Sequence, residues 1–135
     1  MNSLLKNVLL IDDDRPTNVF HRIILQDINI ANKIDAVQTV EEALEILRND
    51  NNNQVDPDII FLDLNMPGLN GWDFINQYRQ IKANRIMASK IFILTTSINP
   101  DDKIKAQQLE IVAGFRSKPL TKDMIWEIVD NHFLN

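Results

Sequence analysis

Four short runs in this chain carry side chains that could do chemistry together: Asp12-Asp13-Asp14, Asp63-Leu64-Asn65, Thr95-Thr96-Ser97 and Ser117-Lys118-Pro119. Two carboxylates about 4 Å apart repel by roughly 4 kcal/mol at an effective dielectric near 20, so Asp12, Asp13 and Asp63 in one place need a cation or a proton. Mg²⁺ prefers hard oxygen ligands and keeps several waters, which suits a site with few carboxylates and an incoming phosphate. An aspartate can serve as a nucleophile and form an acyl phosphate, so Asp63 is a candidate acceptor. Phosphoryl transfer demands mostly positioning and neutralisation of charge, and Lys118 and the Thr95 hydroxyl are the right chemical types to hold the remaining oxygens.

Each residue also has an ordinary reading. Asp12 to Asp14 could be a capping turn before a helix, Asp63 could start a turn ahead of Met66-Pro67, and a lone lysine is usually a solvated one. Thr95 and Thr96 are neighbours, and alternation along a strand points them in opposite directions, so only one can face a phosphate. The spacing to Lys118 favours Thr95.

These runs gain meaning from the elements that must carry them. Apolar stretches of strand length alternate with longer stretches that repeat hydrophobics every three or four residues, the pattern of a parallel sheet wrapped by helices. The strands are read at Val8 to Ile11, Lys33 to Val37, Asp58 to Leu62, Ile91 to Leu94 and Val112 to Ser117. The first helix follows Asp14, with Pro16 in its first turn and Phe20, Ile23, Ile24 and Ile28 expected on its inner face. Thr39 with Glu42 forms a capping box for the second. Asn49 to Asn53 reads as a surface loop, and Met66-Pro67-Gly68 as a tight irregular one. Trp72, Phe74, Ile75, Tyr78 and Ile81 suit packing of a third helix, Asn99-Pro100 opens a fourth, and Thr121 caps a fifth. In an open parallel sheet functional groups gather at the carboxyl ends of the strands, where all four chemical runs fall.

With 135 residues, 44% hydrophobic and 24% charged, the chain is expected to form one domain spanning residues 1–135. It has no cysteine and only two histidines, His21 and His132, so disulfide and thiolate chemistry are excluded and a zinc site is disfavoured. A net charge of −5 argues against a general affinity for nucleic acid. No apolar stretch approaches the ~20 residues of a membrane span, and no leader pattern is seen, so a cytoplasmic protein is expected.

The run Val8-Leu9-Leu10-Ile11-Asp12-Asp13-Asp14 resembles the opening strand and acidic pair of bacterial two-component response-regulator receivers, in particular stand-alone, chemotaxis-regulator-like ones. Asp63 to Gly71 is similar to their phosphorylation loop, and Thr95 and Lys118-Pro119 resemble their remaining characteristic positions. The four features come in the family's order over nearly the whole chain. The resemblance implies a flavodoxin-like, doubly wound α/β fold with five parallel strands in order 2-1-3-4-5 and five helices. It implies that Asp63 is the phosphoacceptor, that Asp13 binds Mg²⁺ directly and Asp12 through water, and that Asn65 adds its backbone carbonyl. Thr95 would turn toward the phosphoryl group, Lys118 would pair with it, and the bond before Pro119 would be cis. Phe115 falls at a rotating aromatic that follows Thr95, although plain core packing accounts for it as well.

The function implied is a switch that takes phosphate from a sensor histidine kinase or a histidine phosphotransfer protein and signals to a downstream protein target. It is not an enzyme beyond its own phosphorylation and dephosphorylation, and neither nucleic acid nor membrane is an expected partner. Thr96 is larger than is common after the threonine and would narrow access to the site. Three other readings compete. An aspartate-nucleophile phosphatase would carry a general acid two residues after the nucleophile, where Asn65 stands. A flavin carrier would need a glycine-rich phosphate cradle, and the chain has three glycines with none after the first strand. A receiver-fold module that signals without phosphorylation is the runner-up.

Overall fold

The computed structural model describes residues 4–48, 56–84, 88–97 and 99–134. Ten elements alternate along the chain: β1 (Leu5–Ile11), α1 (Arg15–Asp27), β2 (Ala31–Val37), α2 (Val40–Arg48), β3 (Ile59–Leu62), α3 (Gly71–Asn84), β4 (Lys90–Thr95), α4 (Pro100–Gln107), β5 (Val112–Ser117) and α5 (Lys122–His132). The five strands form one sheet in the order β2-β1-β3-β4-β5, and every pairing is parallel. This is the flavodoxin-like α/β architecture. β1, β2 and β4 each extend past the apolar run that marks them in the sequence, because their first residues pair with neighbours before the hydrophobic run starts.

Strand alternation divides the core into two layers. Leu9, Ile11, Ile60, Leu62 and Ile93 point to the face covered by α2, α3 and Ala106 of α4, where Phe74 and Tyr78 are fully buried. Val8, Leu10, Ile59, Phe61, Phe92 and Leu94 point to the other face, against Leu25 of α1 and Ile125, Ile128 and Val129 of α5. At about 25 cal/mol per Å² of apolar surface, burial of two such layers is the main stabilisation of the fold.

Helix starts follow local chemistry. The Asp14 carboxylate accepts from the Thr17 N–H at 3.1 Å, Asn99 accepts from the Asp101 N–H at 3.0 Å, and Thr121 accepts from the Met124 N–H at 3.1 Å. Pro occupies the first turns of α1 and α4, where its missing N–H costs nothing. The Glu42 N–H donates to the Thr39 hydroxyl at 3.1 Å, as the capping-box spacing predicts.

The inner face of α1 differs from the sequence expectation. Phe20 and Ile23 are 48% and 53% exposed, and the buried residues are Asn18, His21 and Leu25, with Ile24 and Ile28 partly buried beside them. Hydrogen bonds set this rotation. The Asn18 amide donates to the carbonyls of Asp12 at 2.9 Å and Val37 at 3.1 Å, and His21 accepts from the Leu120 N–H, so two polar residues face the protein and Phe20 turns outward. The Asn49 to Asn53 loop lies outside the described residues. No helix among those described is long and apolar enough to cross a membrane.

Candidate functional site

Sheet register assembles the site. Ile11 and Leu62 are paired across β1 and β3, so the residues that follow them, Asp12 and Asp63, emerge side by side. The Asp63 N–H donates to the Ile11 carbonyl at 2.9 Å and the Asp12 N–H to the Val37 carbonyl at 3.1 Å, which extends the ladder one step beyond the strands. On the other side, Thr95 pairs with Ser117, and the Lys118 N–H donates to the Thr95 carbonyl at 3.0 Å. All four chemical runs therefore reach one edge of the sheet.

Asp12, Asp13 and Asp63 each present a carboxylate oxygen within 4.8 Å of the others. Asp12 and Asp63 are 4% and 5% exposed, whereas Asp13 is open to solvent. Lys118 reaches into the cluster, with its ammonium 2.5 Å from an Asp12 oxygen and 3.4 Å from an Asp63 oxygen. Burial pushes the Asp63 pKa up, and the Asp12 charge pushes it further, against Lys118 and the Asn65 N–H, which lower it. For Lys118, burial alone would lower the pKa, but Asp12 and Asp63 together hold it above the ordinary lysine value. A partly buried, partly neutralised cluster of hard oxygens, open to solvent at Asp13, is the donor set that suits Mg²⁺, with Lys118 left to face an anion.

Thr95 is fully buried and continues the face of Ile93, while Thr96 is exposed, which separates the two hydroxyls as strand alternation requires. The Thr95 hydroxyl oxygen accepts from the Ser97 N–H at 3.1 Å, and the Ser97 hydroxyl donates to Asp102 of α4 at 2.6 Å. Phe115 is half-buried in β5 and packs against the layer that contains Ile93. Lys118 and Pro119 are joined by a cis peptide bond, as the resemblance implies.

The loop after Asp63 is shaped by glycine. Gly68 has φ +73°, in the left-handed region that glycine adopts freely. A Cβ on Gly71 would lie 2.6 Å from the Asp63 carbonyl oxygen, so α3 can start against the Asp63 segment only at a residue without a side chain. Asn65 is exposed two residues beyond Asp63.

Sequence reasoning missed Asn18 and His21. Both are buried beside Asp12, and with Asp12 and Asp63 they line one small cavity behind the acidic cluster. The available signal was their spacing from Leu25, which places all three on one helical stripe, but two polar residues there read as a solvent face.

The comparisons with known proteins agree with this geometry. A family model described as response regulator receiver domain matches residues 8–130. A two-component response regulator from Cytophaga hutchinsonii has a similar structure, with 31% identity, a TM-score of 0.85, and coverage of 94% of this chain and 96% of that one. The chemotaxis protein CheY of Halobacterium salinarum is 25% identical over 93% of this chain and 95% of its own length. The sensory/regulatory protein RpfC of Xanthomonas campestris is 27% identical over 83% of this chain, which spans only 14% of that relative. The strand order, the acidic edge and the family match converge on one assignment: the chain belongs to the two-component response regulator receiver domain family.

Proposed function

We propose that residues 1–135 act as a single phosphorylation-dependent switch in the cytoplasm, with Asp63 accepting a phosphoryl group from a phosphohistidine on a sensor kinase or phosphotransfer protein. The observation that supports this most is the meeting of Asp12, Asp13 and Asp63 within 4.8 Å beside Lys118. Asp12, Asp13 and Asp63 would hold Mg²⁺ with the Asn65 carbonyl, and the ion would neutralise charge on the transferring group. An Asp63 carboxylate oxygen attacks phosphorus, the new O–P bond forms as the N–P bond of the phosphohistidine breaks, and the electron pair returns to the imidazole. Lys118 binds a phosphoryl oxygen, and the buried Thr95 hydroxyl turns to donate to another. Hydrolysis of the resulting acyl phosphate resets the switch.

Thr95 is tied to α4 through Ser97 and Asp102, so its turn would disturb the start of that helix, with Phe115 following on β5. A downstream protein would read the difference between the two states on the surface of α4, β5 and α5. The test is exposure to acetyl phosphate with Mg²⁺ and mapping of the modified peptide by mass spectrometry. Hydroxylamine-sensitive phosphate on the peptide holding Asp63, absent from Asp63→Asn, is expected. Label elsewhere would move the acceptor, and no label would favour a receiver that signals without phosphorylation.

A further inference from the structure

We infer that His21 is a positioning residue for Lys118, acting through a hydrogen bond that fixes the segment after the cis peptide bond. His21 lies in the middle of α1 and is 2% exposed, and its Nε2 accepts from the Leu120 N–H at 3.2 Å across a chain separation of 99 residues. Pro119 has no N–H, so the first backbone donor after Lys118 itself is that of Leu120. Lys118 is thus bracketed: its own N–H is held by the Thr95 carbonyl at 3.0 Å and the next one by His21. Leu120 is 1% exposed, and a buried N–H without an acceptor is costly.

The acceptor role has a chemical requirement. An imidazole that accepts at Nε2 is neutral and carries its proton on Nδ1. Burial lowers the His21 pKa, which keeps it in that form, although Asp12 acts in the opposite direction. The Lys118 ammonium must span Asp12 and Asp63 at 2.5 and 3.4 Å, and a shift of the backbone two residues away would move it off both. Position 21 therefore serves the cation of the site without touching a reacting atom.

The inference rests on the phosphoryl-acceptor reading, so the test carries a readout that does not. His21→Gln keeps an acceptor at similar reach, and His21→Leu removes it. With acetyl phosphate at saturating Mg²⁺, His21→Leu is expected to take up phosphate about tenfold more slowly, because Lys118 is no longer held where it meets a phosphoryl oxygen, and His21→Gln to recover most of the rate. Mg²⁺ affinity should not weaken in either variant, because Asp12, Asp13 and Asp63 keep their places. Hydrogen exchange at the Leu120 amide should be slow in wild type and His21→Gln and fast in His21→Leu. If wild type takes no phosphate the function reading fails, and the Leu120 exchange pattern alone then upholds or overturns the tether. Wild-type uptake in His21→Leu, equal loss in His21→Gln, or a parallel fall in Mg²⁺ affinity would overturn the positioning role. Should His21→Leu not fold, an amide-to-ester replacement at Leu120 removes the donor and leaves His21 intact, with the same slowing expected.

Discussion

The Lys118 ammonium stands 2.5 Å from Asp12, closer than the 3.4 Å that separates it from Asp63. In the unmodified protein the lysine thus neutralises the same carboxylate that a divalent cation would use. Replacing it with the uncharged Lys118→Met should tighten Mg²⁺ binding several-fold, since a competing positive charge is removed. Phosphate uptake should fall in the same variant. Titration by calorimetry reads the first effect, and weaker Mg²⁺ binding would show that Lys118 supports the metal site instead of competing with it.

Asp63 sets a pH dependence. Its folded pKa lies above the ordinary 3.8, so the folded state holds that proton more tightly than the unfolded chain does. Its contribution to stability is therefore present at low pH and is lost as pH rises from 3.8 through the raised value. Asp63→Asn should melt at a higher temperature than wild type at neutral pH, with the gap closing below pH 3.8. Mg²⁺ should narrow the neutral-pH gap by stabilising wild type. A gap that does not change with pH would contradict the assigned burial.

The two threonines at the end of β4 separate cleanly. Thr95→Ala removes a fully buried hydroxyl that accepts from the Ser97 N–H and should cost about 1 kcal/mol of stability. Thr96→Ala, at an exposed position, should stay within about 0.5 kcal/mol of wild type. Denaturant melts give both values. Phosphate-dependent partner binding should be impaired only by Thr95→Ala, and an effect confined to Thr96→Ala would reverse the choice of switch hydroxyl.

Much of this was legible in the chain. Apolar runs marked β1, β3 and β4, whose buried strands leave their chemistry only at their termini, whereas β2 and β5 are partly exposed and were marked by their place in the alternation of strands and helices. The rotation of α1 was not legible. A hydrophobic count places Phe20 and Ile23 inside, but Asn18 and His21 satisfy backbone groups that exist only once β2 and the Leu120 segment have docked. The Asp12–Lys118 pair was hidden for a similar reason: sequence spacing carries both residues to one edge without saying which acid the lysine prefers. Spacing favours Thr95 over Thr96, and Thr95 is the one of the two that is buried.

Gly71 offers a further check. A methyl group there would meet the Asp63 carbonyl oxygen at 2.6 Å and the Leu64 Cα at 2.9 Å, both backbone atoms that cannot swing aside. Gly71→Ala should cost roughly 1–3 kcal/mol, as overpacking does, and, on the proposed function, slow phosphate uptake by moving Asp63. Calorimetric melting and the acetyl phosphate assay measure the two losses, and a variant normal in both would show that α3 can recede from the loop.

The two-layer core has a consequence for engineering. Tyr78 and Ile128 lie on opposite sides of the sheet, so truncations at these positions share no cavity and their energies should sum. Phe74 and Tyr78, whose ring centroids are 6.0 Å apart on one side, should instead show an interaction energy. One side of the molecule can accordingly be redesigned while the other is left as it stands.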